Sequence, residues 1–139
     1  MNAKEFESIT ALAKAENVTE ITDFIDKRLA SHNLPKKLES AVHIIIDEVF
    51  SNIVQYSSSE KATVSCSVTK DNVIIRFEDN GIPYNPLSSA APDTTLNASE
   101  RDIGGLGILM VKKMSDKIEY EYADEKNILT VAILRRKES

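Results

Sequence analysis

The spacing of the apolar residues changes partway along this chain, and that change limits the fold more than any other feature. Leu38, Val42, Ile45, Ile46, Val49, Ile53 and Tyr56 recur every three or four residues, the stripe of an amphipathic helix from about Lys36 to Tyr56. After Ser57-Ser58-Ser59 the period is two: Ala62, Val64, Cys66 and Val68 alternate with Thr63, Ser65, Ser67 and Thr69. Lys70-Asp71-Asn72 then turns the chain into Val73 to Asp79, which predicts a hairpin with one wet face. Ile118, Tyr120 and Tyr122, followed by Ile128 to Leu134, form a second alternating pair around the turn Asp124-Glu125-Lys126-Asn127.

Two further helices flank these elements. Ile21, Phe24, Ile25 and Leu29 have helical spacing from Val18 to about Ser31, with Asn17 or Thr19 as N-cap. His32-Asn33-Leu34-Pro35 separates this helix from the next. Ile108, Leu109, Val111 and Met114 suggest a short third helix that starts at Gly104-Gly105-Leu106-Gly107. The first 15 residues fit either a helix stripe or an edge strand. Strand pairs joined by short turns give a largely antiparallel sheet, and the helix stripes must cover its dry face. The expected class is therefore α+β, a two-layer α/β sandwich of about five strands under three helices.

Composition narrows the function classes. A length of 139 residues with 42% hydrophobic and 28% charged residues suits one globular domain over 1–139. A net charge of -5 without a basic stripe argues against nucleic acid as partner, and Arg135-Arg136-Lys137 fits a solvated tail. No apolar run is long enough to span a bilayer and the start lacks a secretory pattern, so the expected location is cytoplasmic, with no membrane partner. Cys66, the single cysteine, alternates with valines and reads as a buried, inert thiol. His32 and His43 are too far apart for a spaced metal pair and read as surface or cap residues.

Three places can carry chemistry. Glu48 and Asn52 are four apart, so they share one helix face, and Glu48 lies about 60° from Ile45 on the wheel, at the margin of the core. Taken alone they fit the wet side of an amphipathic helix; they also supply a base and a hard oxygen ligand for magnesium. Asp79 follows Val73, Ile75 and Phe77 at period two and so points to the dry face, where a carboxylate needs a donor. An adenine amino group and a backbone N–H beyond Asn80 both qualify, and Gly81 permits close approach of the backbone. The glycine loop 104–107 at a helix start suits a phosphate or a hinge. It lacks the Lys-Ser/Thr of a P-loop and opens no parallel βαβ unit. Between them lies an aperiodic stretch of about twenty residues, 85–103, of the kind that forms lids.

The order is helix with Glu-x-x-x-Asn, strand ending in Asp-x-Gly-x-Pro, lid, then Gly-Gly-Leu-Gly and a short helix. It resembles the GHKL ATPase superfamily, with the Bergerat fold. The phrases Asp47-Glu48-Val49-Phe50-Ser51-Asn52, Glu78-Asp79-Asn80-Gly81-Ile82-Pro83-Tyr84-Asn85-Pro86 and Gly104-Gly105-Leu106-Gly107-Ile108 are similar to those of bacterial anti-sigma-factor serine/threonine kinases. Members often carry His-x-Tyr where this chain has Gln55-Tyr56-Ser57. The resemblance implies ATP and Mg2+ as ligands, Glu48 as general base, Asn52 on the metal and Asp79 on adenine, with Gly81 against the base. It implies phosphate contacts from Gly104, Gly105, Leu106 and Gly107, with Arg101 near the terminal phosphate, and Thr130 completing the adenine pocket. It implies a strand at the N-terminus.

The same resemblance implies phosphorylation of a STAS-type anti-sigma-antagonist, a sigma factor as second partner, and a homodimer. The alternative is a partner-binding module tuned by nucleotide, with no phosphoryl transfer. The catalytic domain of a histidine kinase would need a further helix pair bearing the acceptor His, for which the 35 residues before Lys36 are too few.

Overall fold

A computed structural model of the protein describes residues 6–88 and 103–135. Within them the residues of period 3.6 form α1 (Val18–Leu29), α2 (Lys36–Asn52) and α3 (Ile103–Met114). The residues of period two form β1 (Glu7–Leu12), β2 (Lys61–Val68), β3 (Asn72–Asp79), β4 (Lys117–Ala123) and β5 (Lys126–Leu134). Every neighbouring pair is antiparallel, in the order β1-β2-β3-β5-β4. The expected α+β sandwich is thus present, and the ambiguous start is an edge strand.

Register lines up rows of side chains across the sheet. Ile9, Val64, Phe77, Leu129 and Tyr120 form one row, and Cys66, Ile75, Val131 and Ile118 the next. Ile21, Ile25 and Leu29 of α1, Val42, Ile45, Ile46, Val49 and Phe50 of α2, and Val111 of α3 close over these rows in one core. Burial, with Glu7 adding to it, pushes the Cys66 thiol up to about 12, which keeps it protonated and unreactive. His43 is exposed, and its Nε2 lies 2.6 Å from Asp26 Oδ1 on α1. Among the described residues no helix is long and apolar enough to cross a membrane.

Four local expectations are corrected. Asn17 precedes α1 but does not cap it; its Nδ2 donates to Leu12 O at 3.0 Å, which ties the turn to β1. The α2 ladder ends at Asn52, and Ile53–Ser57 continue as one π-helical turn that Ser58 closes with φ 59°. The outward face of the first hairpin is not wholly wet, because Ser65, Ser67 and Ile74 are buried. On this face Phe6 lies under the Arg76 guanidinium at 4.2 Å, and Ser8 Oγ bonds Ser65 Oγ at 2.9 Å. Finally, the second hairpin turns on Asp124 and Glu125 alone, both at positive φ (54° and 60°), so Lys126 and Asn127 already belong to β5.

Candidate functional site

That shift of one hairpin boundary builds the site. Asp79 ends β3 in a row with Ala62 and Asn127, on the face the helices cover, and is 6% exposed. A buried carboxylate needs donors. It receives the Gly81 N–H at 2.9 Å and Asn127 Nδ2 at 3.0 Å, both on Oδ1. Of the donors weighed from the sequence, the turn amide is therefore present. Among the described residues Oδ2 has no such bond, so it keeps its lone pairs for a further donor.

Asn127, also buried, uses its whole amide. Nδ2 donates to Asp79 Oδ1 and to Ile82 O at 2.8 Å, while Oδ1 accepts the Tyr84 N–H at 2.8 Å and the Tyr120 hydroxyl at 2.5 Å. All four bonds agree with one amide orientation. Burial raises the Tyr120 hydroxyl above its ordinary pKa, against the Tyr84 backbone bond and with the Asp79 charge, so it stays a donor. On the other side, the Ile82 N–H donates to Ser57 O at 2.7 Å, and the Tyr84 ring stacks on Tyr56 at 5.2 Å. The close approach that Gly81 permits is to this carbonyl: a Cβ there would lie 1.9 Å from Ser57 O. The π-turn of α2 and the Asn127 amide thus hold residues 81–84 from two directions.

A narrow recess opens between α2 and the sheet, walled by Asn52, Ile53, Phe77, Asp79, Tyr84 and Leu129. Asn52 is 2% exposed, yet among the described residues neither Nδ2 nor Oδ1 has a hydrogen-bond partner. Leaving a buried polar atom unmatched costs about 1–3 kcal/mol, so this amide is open to a partner that the described residues do not supply. One turn earlier stands Glu48, half-buried. Burial first, and the Asp47 charge second, hold its carboxyl above the usual range. Gly107 of α3 packs against that carboxylate. The recess therefore presents a carboxylate oxygen open to a donor and a hard amide oxygen, and one helical turn from that amide stands a carboxylate with raised proton affinity.

The other expected residues divide. Gly104, Gly105 and Leu106 lie in the first turn of α3, where backbone N–H groups have no partner within the helix. The helix starts at Ile103, one residue before the glycines, which moves Gly107 into the second turn. Arg101 and the lid residues 89–102 lie outside the described residues. Thr130 does not reach the Asp79 pocket. It shares a row with Arg76 and Glu119, whereas Asn127, Leu129 and Val131 face the helices, because side chains alternate along β5. The place expected for Thr130 is taken by Asn127. Counting back in twos from Val131 and Leu129 reaches Asn127, a signal masked by assigning it to the turn. Nothing in the residue pattern announces Ser57 O as the counterpart of Gly81.

Residues 11–133 match the family described as histidine kinase-like ATPase domains. Over 94 residues the chain is 31% identical to the signal transduction histidine-protein kinase/phosphatase DegS of Bacillus subtilis (strain 168), covering 68% of this chain and 21% of DegS. The fold is similar to the RsbU and RsbW domains of Rv1364c from Mycobacterium tuberculosis, with TM-score 0.66 and 14% identity over 96% of this chain and 33% of that one. It is also similar to the Acinetobacter baumannii histidine kinase AdeS, with TM-score 0.56 and 18% identity over 93% of this chain and 68% of that one. The chain spans about a fifth of the length of the curated relative. Since the matched segment takes in all three helices and the recess between α2 and the sheet, the chain belongs to the histidine kinase-like ATPase domain family.

Proposed function

We propose that the chain binds Mg-ATP in this recess and transfers the γ-phosphoryl group to a serine or threonine of a STAS-type anti-sigma-antagonist. In the same reading it holds a sigma factor when unopposed, and works as a homodimer. The observation that carries the nucleotide site is the buried Asn52 amide, unmatched among the described residues, beside an Asp79 carboxylate with one oxygen to spare. Asp79 Oδ2 accepts the adenine amino group, and the first turn of α3, including Gly104, Gly105 and Leu106, faces the phosphates with its unpaired N–H groups. Arg101 neutralises charge on the terminal phosphate.

Asn52 fits magnesium, since its amide oxygen is a hard ligand. Phosphate oxygens and water would complete the shell around it. When bound, the metal neutralises charge on the β- and γ-phosphates. Glu48 receives the proton of the attacking hydroxyl, a role its raised pKa suits. The acceptor oxygen bonds to Pγ, the bond from Pγ to the bridging oxygen breaks, and ADP leaves.

Thermal denaturation with and without Mg-ATP tests the site, because ligand at 100 times its Kd adds about 2.7 kcal/mol. Asp79→Asn discriminates: Oδ1 still accepts Gly81 and Asn127, while the new NH2 meets the adenine amino group as donor against donor. The expected result is a stable variant with no ATP shift; a full shift refutes the adenine assignment. Incubation with γ-labelled ATP and a STAS protein tests the transfer. Acid-stable label on the partner, lost in Glu48→Gln, is expected. Acid-labile label would indicate a histidine acceptor, and no label on any partner would leave a nucleotide-tuned binding module.

A further inference from the structure

We infer that Gly107 is a positioning residue for Glu48: the space left by its missing side chain is the space the Glu48 carboxylate occupies. This rests on the proposed role of Glu48 as base. A Cβ at Gly107 would stand 2.0 Å from Glu48 Oε1, 2.8 Å from Cδ and 3.3 Å from Cγ. Gly107 is buried in the second turn of α3, where its N–H is already committed to the helix ladder. It therefore offers no free donor to a phosphate, unlike the first turn. Backbone conformation does not call for glycine either, since no described glycine has positive φ. Glycine is a poor helix residue beside alanine, so its presence here needs a reason, and contact with the carboxylate supplies one.

The contact sets where the base points. Glu48 projects from α2, and the bare Cα of Gly107 is the wall it meets on α3. Any side chain at 107 must displace it. The displaced atoms are the far end of a flexible, half-exposed side chain, so the carboxylate swings toward solvent while the helices stay in place. Gly107→Ala should thus separate turnover from folding and from nucleotide binding. Glu48→Asp, one methylene shorter, draws the carboxylate back from the added methyl group.

Hydrolysis of Mg-ATP by the whole chain reads this directly: water oxygen bonds to Pγ, the bond from Pγ to the ADP oxygen breaks, and the water proton passes to Glu48. Gly107→Ala is expected to lower kcat at least about tenfold, out of the 10²- to 10⁴-fold a positioned base contributes, with ADP affinity unchanged. Glu48→Asp alone is also slower, but the double variant should be no slower than Gly107→Ala, since the losses share one cause. Losses that multiply, or ADP affinity that falls with kcat, overturn the inference. A urea-denaturation cycle reads the contact apart from activity. Gly107→Ala should raise the midpoint in a Glu48→Ala background, as alanine for glycine does in a helix, and raise it less or lower it with Glu48 present. Equal gains in both backgrounds overturn the contact. A wild type whose turnover is untouched by Glu48→Gln overturns the base assignment, and with it the positioning role, even where the cycle reports contact.

Discussion

Asn127 shows how much one buried amide can organise. Its four bonds match Asp79, Ile82 O, Tyr84 N–H and Tyr120 at once. Asn127→Ala leaves several of these groups unmatched and should lower stability by about 2–4 kcal/mol, measured by urea denaturation, with ATP binding lost through disorder of the Asp79 carboxylate. Glu48 behaves oppositely, because its burial is a cost. A raised folded-state pKa means that the folded protein keeps the proton to higher pH than the unfolded chain, so stability falls as pH rises through that interval. Glu48→Gln removes the cost. Its Tm should exceed wild type at pH 7, and the gap should close as pH falls below the ordinary value of 4.5. A gap of the same size at both pH values would contradict the burial argument. At this scale Asp79 was legible because alternation along β3 forces a carboxylate onto a dry face, whereas Asn127 was hidden by a hairpin boundary two residues off.

At the scale of elements, the turn after β3 and the end of α2 work as a unit. Gly81 touches Ser57 O, and the atom it would strike is backbone, unlike the movable side chain facing Gly107. Gly81→Ala must lift the turn, breaking the Ile82–Ser57 and Gly81–Asp79 bonds, and should cost about 1–3 kcal/mol in denaturation, with ATP affinity falling alongside. Retained affinity with lost stability would show that the turn is structural only. The sequence marks Gly81 as a place of close approach, but the approaching group comes from a π-helical turn that no helical periodicity announces. A π-turn carries one extra residue in its ring and so shifts the Ser57 carbonyl relative to an α-helix continued through Tyr56.

For the whole molecule, the recess and the core share walls. Phe77 sits on the middle strand of the sheet, fully buried, and also lines the recess. Phe77→Ala should cost about 3–5 kcal/mol, a large share of the roughly 5–15 kcal/mol that holds a domain together. Saturating Mg-ATP should recover part of the lost Tm if the recess survives, which thermal denaturation with and without nucleotide measures. No recovery would mean that the recess collapses with the core. The fold was legible at this scale because both periodicities are strong and the short turns leave an antiparallel sheet little choice.

What the sequence determined alone is the set of amphipathic faces. Side-chain alternation and helical spacing are local geometry, and burial of the apolar faces follows from them, which is why the layers, the strand pairs and the dry position of Asp79 were all readable. The tertiary structure decided what meets what across those faces. Register chose Asn127 over Thr130 as the neighbour of Asp79, the π-turn brought Ser57 O to Gly81, and the packing of α3 on α2 placed Gly107 against Glu48. Each of these is a contact between residues at least 24 positions apart. Its existence depends on ångström-scale placement of whole elements, which residue types and spacing do not encode.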